Sequence, residues 1–254
     1  MAKKNVGHKY HDDEEKICGF HAAQKAFVKR GQSVAKVFIE EKRLKSFSEM
    51  LKFCAQNKIA YKVVSDQELK KVTSSEHHEG ICVFLKPRKK VEIDQLLHKF
   101  GKVEKALVVA LHQAQNPHNI GAILRVAAHF GADAMLLESQ SQNLTPSSYR
   151  IAEGGAEFVP TLFTDHLLDV LGQFKEAGFS IYSTSSHQSG NLYQTNFAKK
   201  SIILMGKEDV GLPHDLFKMG QPLSIPGTGN VESLNLSTAT SILMSEFRRQ
   251  IPLK

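Results

Sequence analysis

Polar residues that could act on a nucleotide fall in three stretches of the 254-residue chain, and apolar segments precede them. The stretches are NPHNIGAILRVAAHFG (residues 116–131), IILMGKEDVGLP (residues 202–213) and LSIPGTGNVESLNLSTATSILMSEFRRQ (residues 223–250). Amides, a carboxylate and a guanidinium can orient a substrate and stabilise charge that develops during a reaction. Glycines after a strand allow a ligand to approach the backbone. Taken alone, the third stretch could be an ordinary strand-to-helix connection, and the first could be a surface arginine on a helix capped by asparagine.

The third stretch predicts how its polar residues are held. A strand ends at Ile225-Pro226, a glycine-containing loop follows, and apolar residues then recur at helical spacing. Asn235 or Ser237 is a good N-cap for this helix, because its side chain can accept a bond from a free backbone N–H. Strand, loop and capped helix together predict a concave site for a nucleotide-like ligand.

The first stretch predicts a helix over about residues 119–130, with Asn119 as its cap. Ile120, Ile123, Leu124 and Ala127 form one buried stripe. Arg125 lies about 140° from Ile120 around such a helix. We therefore expect its guanidinium to face a cleft or another subunit.

Taken in order, the three stretches resemble the three motifs of the SpoU/TrmH class of SPOUT RNA 2′-O-ribose methyltransferases, and the resemblance covers about residues 17–250. The matching positions are Asn119 and Arg125 in the first motif, Gly206, Glu208 and Gly211 in the second, and Ser233, Leu234 and Asn235 in the third. One such motif is a weak signal, whereas three in this order are a strong one.

This resemblance implies an enzyme that uses S-adenosylmethionine and no metal. It assigns the catalytic role to Asn119, Arg125, Glu208, Ser233 and Asn235. It places Gly206, Ile225 and Leu234 against the cofactor, with Thr184 and Ser185 as neighbours unless they are a plain strand end.

Individual roles follow from chemistry. A guanidinium is a poor base because it stays protonated, so we expect Arg125 to orient a phosphate and stabilise an alkoxide. The resemblance implies that Glu208 helps to organise the site, and a carboxylate there could equally cap backbone N–H groups. Lys207 could contact phosphate or shield Glu208. Arg150 could contact RNA or a subunit, and the nearby glycines at 154 and 155 permit tight packing.

The distribution of charge favours a nucleic-acid partner. Residues 1–105 contain 23 Lys and Arg against 14 Asp and Glu, whereas residues 106–254 contain 10 against 12. A basic region attracts a polyanion by releasing counterions, although solvated lysines alone would give the same count. The basic cluster of residues 86–90 could contact phosphate or keep a linker in solvent.

Four segments are predicted: a flexible tail (1–15), an RNA substrate-binding domain (16–86), a linker (87–105) and a catalytic domain (106–254). In the tail, His8 and His11 lack further ligands for a metal. The second segment alternates helix and strand, beginning with a helix over residues 17–30. Its first and last parts resemble the family's L30e/L7Ae-like domain, in which Gln is common where Glu79 stands. For His77 and His78 we favour a role in a turn.

The catalytic domain predicts strands in ALVVALH, AMLLES, VPTLF, SIYSTS, IILMG and PLSIP. Helices are predicted over about residues 119–130, 147–156, 165–177 and 233–250. This alternation is typical of an α/β fold with a parallel sheet. The residues alone would suggest a Rossmann-type fold, but the first strand is not followed by GxGxxG. The resemblance instead implies a trefoil knot at the C-terminal end of the sheet.

Composition is that of a globular protein without a membrane span or a secretory signal. Cys18, Cys54 and Cys82 are widely spaced core candidates, and a reducing cytoplasm fits them. The resemblance implies a homodimer joined at the knot and an RNA substrate, either transfer RNA or, with more weight, a guanosine of large-subunit ribosomal RNA. Two alternatives stay open: a non-catalytic RNA-binding or ribosome-assembly protein, and a Rossmann-type nucleotide enzyme.

Overall fold

The computed structural model describes residues 14–186 and 190–253, which belong to two compact units, Met1–Lys89 and Lys90–Lys254. The predicted tail, with His8 and His11, lies outside the described residues except for its last two positions. Glu15 is not part of a tail. It begins a strand, and its carboxylate accepts hydrogen bonds from Arg30 Nη2 at 2.7 Å and from the backbone nitrogen of Arg88 at 2.7 Å.

The first unit is an α/β layer built on a four-stranded mixed sheet. Its elements are β1 (Glu15–Cys18), α1 (Phe20–Arg30), β2 (Val34–Ile39), α2 (Ser48–Gln56), β3 (Ala60–Val63), α3 (Asp66–Thr73) and β4 (Ile81–Leu85). The strand order is β1-β4-β2-β3, with only β2 and β3 parallel. All five residues of β4 are buried, as expected for an apolar central strand. The three cysteines are also buried, as predicted.

The prediction of a helix from Ile17 is wrong at its start. Ile17 and Cys18 belong to β1 and pair with Val83 and Cys82 of β4. Gly19 separates this strand from α1 with φ = 102°, a value that favours glycine. Because the pairing partner lies far along the chain, local helical spacing could not reveal this strand.

The second unit is a parallel α/β fold. Its strands are β5 (Ala106–Leu111), β6 (Ala134–Glu138), β7 (Thr161–Thr164), β8 (Ser180–Thr184), β9 (Lys200–Met205) and β10 (Gln221–Leu223). Its helices are α4 (Ile93–Gly101), α5 (Pro117–His129), α6 (Pro146–Ile151), α7 (Leu167–Glu176), α8 (His214–Phe217) and α9 (Leu236–Gln250). All six predicted strands are present. The predicted helix 147–156 is shorter than expected, because it ends before a turn at Gly154 (φ = 87°).

The order β10-β8-β9-β5-β6-β7 places β5 and β9 in the centre of the sheet, and every neighbouring pair of strands is parallel. All six residues of β5 are buried, as are five of six in β9. Leu111 pairs with Met205, so the two central strands end at the same level. The loops that follow them, which contain two of the three polar stretches, therefore leave the same edge of the sheet.

Part of the predicted linker is a core helix. In α4, Leu96 and Phe100 are 4% and 1% exposed and belong to the main core of the second unit. Their spacing is helical, but the surrounding charges suggested solvent. The burial of a narrow apolar stripe outweighs the polar composition of the segment. Among the described residues, no helix is long and apolar enough to cross a membrane.

Candidate active site

A cavity of about 1020 Å³ opens where β8, β9 and β10 end. Ligands of parallel α/β sheets bind at this carboxyl edge, because the loops there diverge. The four predicted cofactor positions all line the cavity: Thr184, Gly206, Ile225 and Leu234. Three of the predicted catalytic residues also line it: Glu208, Ser233 and Asn235. Residues that are distant in sequence thus share one cavity.

Gly206 allows the loop after β9 to fold back closely on itself. A Cβ atom at this position would lie 2.6 Å from the backbone nitrogen of Leu212 and 2.7 Å from the carbonyl oxygen of Gly211. Lys207 and Gly211 exchange two backbone hydrogen bonds, of 3.1 and 2.8 Å, and Gly211 has φ = 73°. The loop is a tight turn, so its backbone forms a fixed wall of the cavity.

Hydrogen bonds between side chains connect the three polar stretches. Asn235 Nδ2 donates to Asn119 Oδ1 at 3.2 Å, and Asn119 Nδ2 donates to Glu208 Oε1. Asn235 Oδ1 accepts from the backbone nitrogen of Ser237 at 2.9 Å, which makes Asn235 the N-cap of α9. This cap fixes which end of the Asn235 amide points at Asn119. The Glu208 carboxylate is therefore the final acceptor of an ordered series, which we call the Asn–Asn–Glu network.

Asn119 does not cap α5, the helix predicted in the first polar stretch. The N-cap of α5 is Asn116, whose Oδ1 accepts from the backbone nitrogen of His118 at 2.9 Å. Pro117 occupies the first helical position, where its missing N–H costs no hydrogen bond. Asn119 consequently is the third residue of the helix, where it is only 5% exposed. Its amide is free of capping and joins the network instead.

Arg125 does not line the cavity. It follows Asn119 by six residues, which places it about 120° away around α5. Its side chain is 59% exposed, and Nη1 lies 2.9 Å from Oε1 of Glu153. The prediction that Arg125 avoids the buried stripe is confirmed, since Ile120, Ile123, Leu124 and Ala127 are all buried and Arg125 is not. Within this chain the Asn235 amide donates to Asn119.

The other predicted positions are less constrained. Ser233 is exposed on the cavity wall, and Lys207 is half-buried there. Arg150 is half-buried in the last turn of α6 and does not line the cavity. Gly155 does permit tight packing, since a Cβ atom there would lie 2.7 Å from the carbonyl oxygen of Leu124.

A second polar cluster lies in the first unit, where Glu40, Asp66 and His78 place potential metal-ligand atoms within 4.8 Å of one another. His78 Nδ1 accepts from the backbone nitrogen of Gly80 at 3.1 Å, so in the neutral ring the proton is on Nε2. Nε2 lies 3.4 Å from Asp66 Oδ1 and presents a hydrogen rather than a lone pair. This geometry fits a hydrogen-bonded turn, which supports the role predicted for His78.

Sequence reasoning missed Asn116 and Glu153. Pro at the position after Asn116 was a signal for the cap. Glu153 lies 28 positions from Arg125 and had no signal of its own. Apolar residues of the cavity wall were also missed, among them Val210 and Val231, which are 79% and 70% exposed.

Two protein families match the chain. The SpoU rRNA methylase family matches residues 106–245, which include the cavity and the Asn–Asn–Glu network. A family described as RNA 2′-O ribose methyltransferase substrate binding matches residues 16–91.

Individual proteins match over most of the chain. A protein of Escherichia coli O157:H7 named uncharacterized tRNA/rRNA methyltransferase YfiF is 35% identical over 240 residues, which are 94% of this chain and 69% of that protein. The 23S rRNA (guanosine-2′-O-)-methyltransferase RlmB of Neisseria meningitidis serogroup B is 29% identical over 95% of this chain and 98% of its own length. The crystal structure of an AdoMet-bound rRNA methyltransferase from Sinorhizobium meliloti shares the fold, with a TM-score of 0.76 and 21% identity over 95% of this chain and 89% of that one.

Proposed function

Because the chain belongs to the SpoU rRNA methylase family, we propose that it transfers a methyl group from S-adenosylmethionine to the 2′-oxygen of a ribose in RNA. The observation that carries the proposal is the Asn–Asn–Glu network, which joins the three polar stretches at the cavity. A similar protein supports the substrate class: RlmB of N. meningitidis is a 23S rRNA (guanosine-2′-O-)-methyltransferase. The S. meliloti enzyme of the same fold contains AdoMet.

The cavity fits a nucleoside cofactor. S-adenosylmethionine, when bound, supplies the methyl group on a positively charged sulfur. Gly206 brings backbone close to the cavity, and a side chain there would collide with Leu212 and so deform the loop that forms the wall. Ile225 and Leu234 provide apolar surface, while Thr184 keeps its hydroxyl engaged by donating to the Leu204 carbonyl oxygen at 2.9 Å. Adenosine and ribose would therefore be held largely by main-chain groups.

The remaining residues hold the substrate. The Asn–Asn–Glu network fixes the Glu208 carboxylate, so the cavity is formed before RNA arrives. Ser233, exposed on the same wall, offers a hydroxyl to the ribose. Arg125 orients an RNA phosphate and stabilises the 2′-oxygen as its proton passes to solvent water. Catalysis then depends on alignment of the attacking oxygen with the methyl carbon.

A homodimer through the knot region would complete this site. Arg125 does not line the cavity of its own chain, so we propose that it acts in the cavity of a second copy. Co-expression of Arg125→Ala and Glu208→Ala chains under two affinity tags tests this arrangement. The isolated heterodimer has one complete site if Arg125 crosses the interface, and its rate of transfer should then be far above that of either variant alone. Recovery would be absent if both residues act in the same chain.

The route of the chain supports the implied trefoil knot. β10 lies at the edge of the sheet beyond β8, yet Asn235 soon afterwards donates to Asn119, which follows the central strand β5. The intervening residues must cross the ends of β8 and β9 and pass the tight loop at Gly206. We propose that this crossing threads the chain, and an experimental trace from β9 to α9 would decide it.

The first unit is proposed to recruit the RNA in the cytoplasm. Its match to a substrate-binding family and the excess of basic residues before position 106 support this role. We propose an L30e-like fold for it, ribosomal RNA as the first candidate substrate, and transfer RNA as the second. Among ribosomal sites, a guanosine of the large-subunit RNA is the first to examine.

Purified protein, labelled S-adenosylmethionine and total RNA from a strain lacking the gene provide the test. The RNA should gain label in the parental reaction, and hydrolysis should locate it on a ribose 2′-oxygen. Calorimetry should separately detect binding of the cofactor. Binding of RNA without cofactor binding or transfer would instead support a non-catalytic RNA-binding protein.

A further inference from the structure

The exposed pair formed by Arg125 and Glu153 engages only one nitrogen of the guanidinium. Nη1 lies 2.9 Å from Glu153 Oε1. In the part of the chain that the structure describes, neither Nε nor Nη2 of Arg125 has a protein partner within hydrogen-bond distance. These two nitrogens share one edge of the planar group, and that edge can bind a phosphate with two parallel hydrogen bonds. The pair thus leaves the phosphate-binding edge open.

The turn that carries Glu153 is built against α5 at Arg125. Glu153 has φ = 46°, a conformation that residues other than glycine rarely adopt, and Gly154 continues the turn with φ = 87°. Gly155 then packs so closely that a Cβ atom would lie 3.0 Å from Arg125 Cα. A flexible surface loop would not need such a backbone, so the carboxylate is held beside the guanidinium by its own turn.

We infer that Glu153 is a positioning residue for Arg125: it holds Nη1 and so directs the Nε and Nη2 edge at an RNA phosphate next to the reacting ribose. This inference rests on the proposed function. A long arginine side chain that is mostly exposed samples many rotamers. A fixed carboxylate reduces that freedom before the RNA binds, and it leaves the positive edge available.

The opposite role would be competition, in which Glu153 occupies Arg125 and must be displaced by RNA. The two roles predict opposite changes on removal of the carboxylate. Loss of a positioning group lowers kcat, because fewer complexes have the guanidinium aligned. Loss of a competitor would instead raise the affinity for RNA or raise kcat, and in neither case would kcat fall.

The experiment compares Glu153→Gln with the parent, using total RNA from the strain lacking the gene as substrate. We expect kcat to fall about tenfold, as for a partly lost alignment, while KM for RNA does not rise. Glu176→Gln, which removes one exposed negative charge at the end of α7, is the matched control and should keep parental kcat. Glu153→Asp keeps the charge and tolerates the left-handed backbone, so it should recover part of the loss.

A double-mutant comparison identifies the partner. In an Arg125→Ala background, Glu153→Gln should cause no further fall in the residual rate, because its only target is gone. A parental kcat in Glu153→Gln, or an equal fall in the Arg125→Ala background, overturns the inference while leaving the proposed function intact. A parental protein that methylates no RNA overturns both.

Discussion

Helix α5 carries two polar groups in opposite settings. Asn119 is 5% exposed and belongs to a network that connects three distant segments, whereas Arg125 is 59% exposed on its side chain and pairs with one neighbouring turn. Buried amides that lose a partner are costly, while an exposed ion pair contributes about 0–1 kcal/mol. The buried group therefore determines the shape of the cavity, and the exposed group remains available to an incoming phosphate.

Stability and chemistry are therefore separated along one helix. Changes at Asn119 should affect folding and cofactor binding together. Changes at Arg125 should affect methyl transfer alone. Substitutions at these and neighbouring positions should therefore separate effects on methyl transfer from effects on folding and cofactor binding.

Arg125→Ala should lower kcat by roughly 10²–10³-fold, the usual loss when a group that stabilises developing charge is removed. Cofactor affinity and the thermal midpoint should stay close to parental values, because the side chain is exposed and lies outside the cavity. Steady-state kinetics and calorimetry of the same preparation check both halves. A parallel loss of cofactor binding would contradict the separation of roles.

Gly206→Ala should weaken cofactor binding by more than about tenfold, since its Cβ atom would lie 2.6 Å from the Leu212 nitrogen and force the loop to move. Gly227→Ala is the matched control in the same cavity, because a Cβ atom there meets nothing within 4 Å. Calorimetric titration with S-adenosylmethionine compares the two. Equal affinities would show that the tight loop does not shape the site.

Asn119→Ala should destabilise the protein by roughly 1–3 kcal/mol and weaken cofactor binding, because the Glu208 carboxylate and the Asn235 amide each lose a partner. Asn116→Ala removes the helix cap from the same helix and should cost about 1 kcal/mol without changing cofactor affinity. Denaturant unfolding measures the first quantity. Similar cofactor affinities in the two variants would mean that the network is not part of the site.

Glu246→Gln should have the smallest effect, and that effect should depend on pH. Hydrogen bonds from Arg249 and then Gln250 lower the pKa of the Glu246 carboxyl to about 2. A lowered folded-state pKa stabilises the protein above the unfolded value, and the stabilisation is lost as pH falls from about 4.5 to about 2. The difference in unfolding free energy from the parent should be below about 1 kcal/mol at pH 7.

The same difference should disappear near pH 2. A difference that grows as the pH falls would contradict the sign of this prediction. Glu246 lies on α9, and its carboxylate accepts hydrogen bonds from Arg249 and Gln250 of the same helix. We therefore expect the substitution to leave cofactor affinity unchanged at pH 7.

The sequence predicted the parallel sheet well, because buried strands such as β5 are continuous apolar runs whose identity does not depend on distant partners. The predictions from sequence failed where the local structure depends on contacts with distant residues. Ile17 and Cys18 form a strand only because β4 is available for pairing. The helix α4 was hidden because charged residues flank it on both sides, among them Lys90 and Lys102, and its apolar stripe, which includes Leu96 and Phe100, is short.

The candidate site also has features that the sequence predicted and features that depend on long-range packing. Motif positions predicted which residues would line the cavity, and the glycine at 206 was interpretable from its place after a strand. The cap at Asn116 was readable from Pro117 but was assigned to Asn119. The partnership of Arg125 with Glu153 depends on how a turn packs against α5, and nothing local in the sequence encodes that packing.

The most direct test of the central proposal is a map of ribose 2′-O-methylation in total RNA from three strains: the parent, a strain lacking the gene, and that strain complemented with Arg125→Ala. Complementation with the intact gene serves as the control. We predict that one methylation is absent without the gene, returns with the intact protein and stays absent with Arg125→Ala. An unchanged map in the strain lacking the gene would contradict the proposal that this protein methylates RNA in the cell.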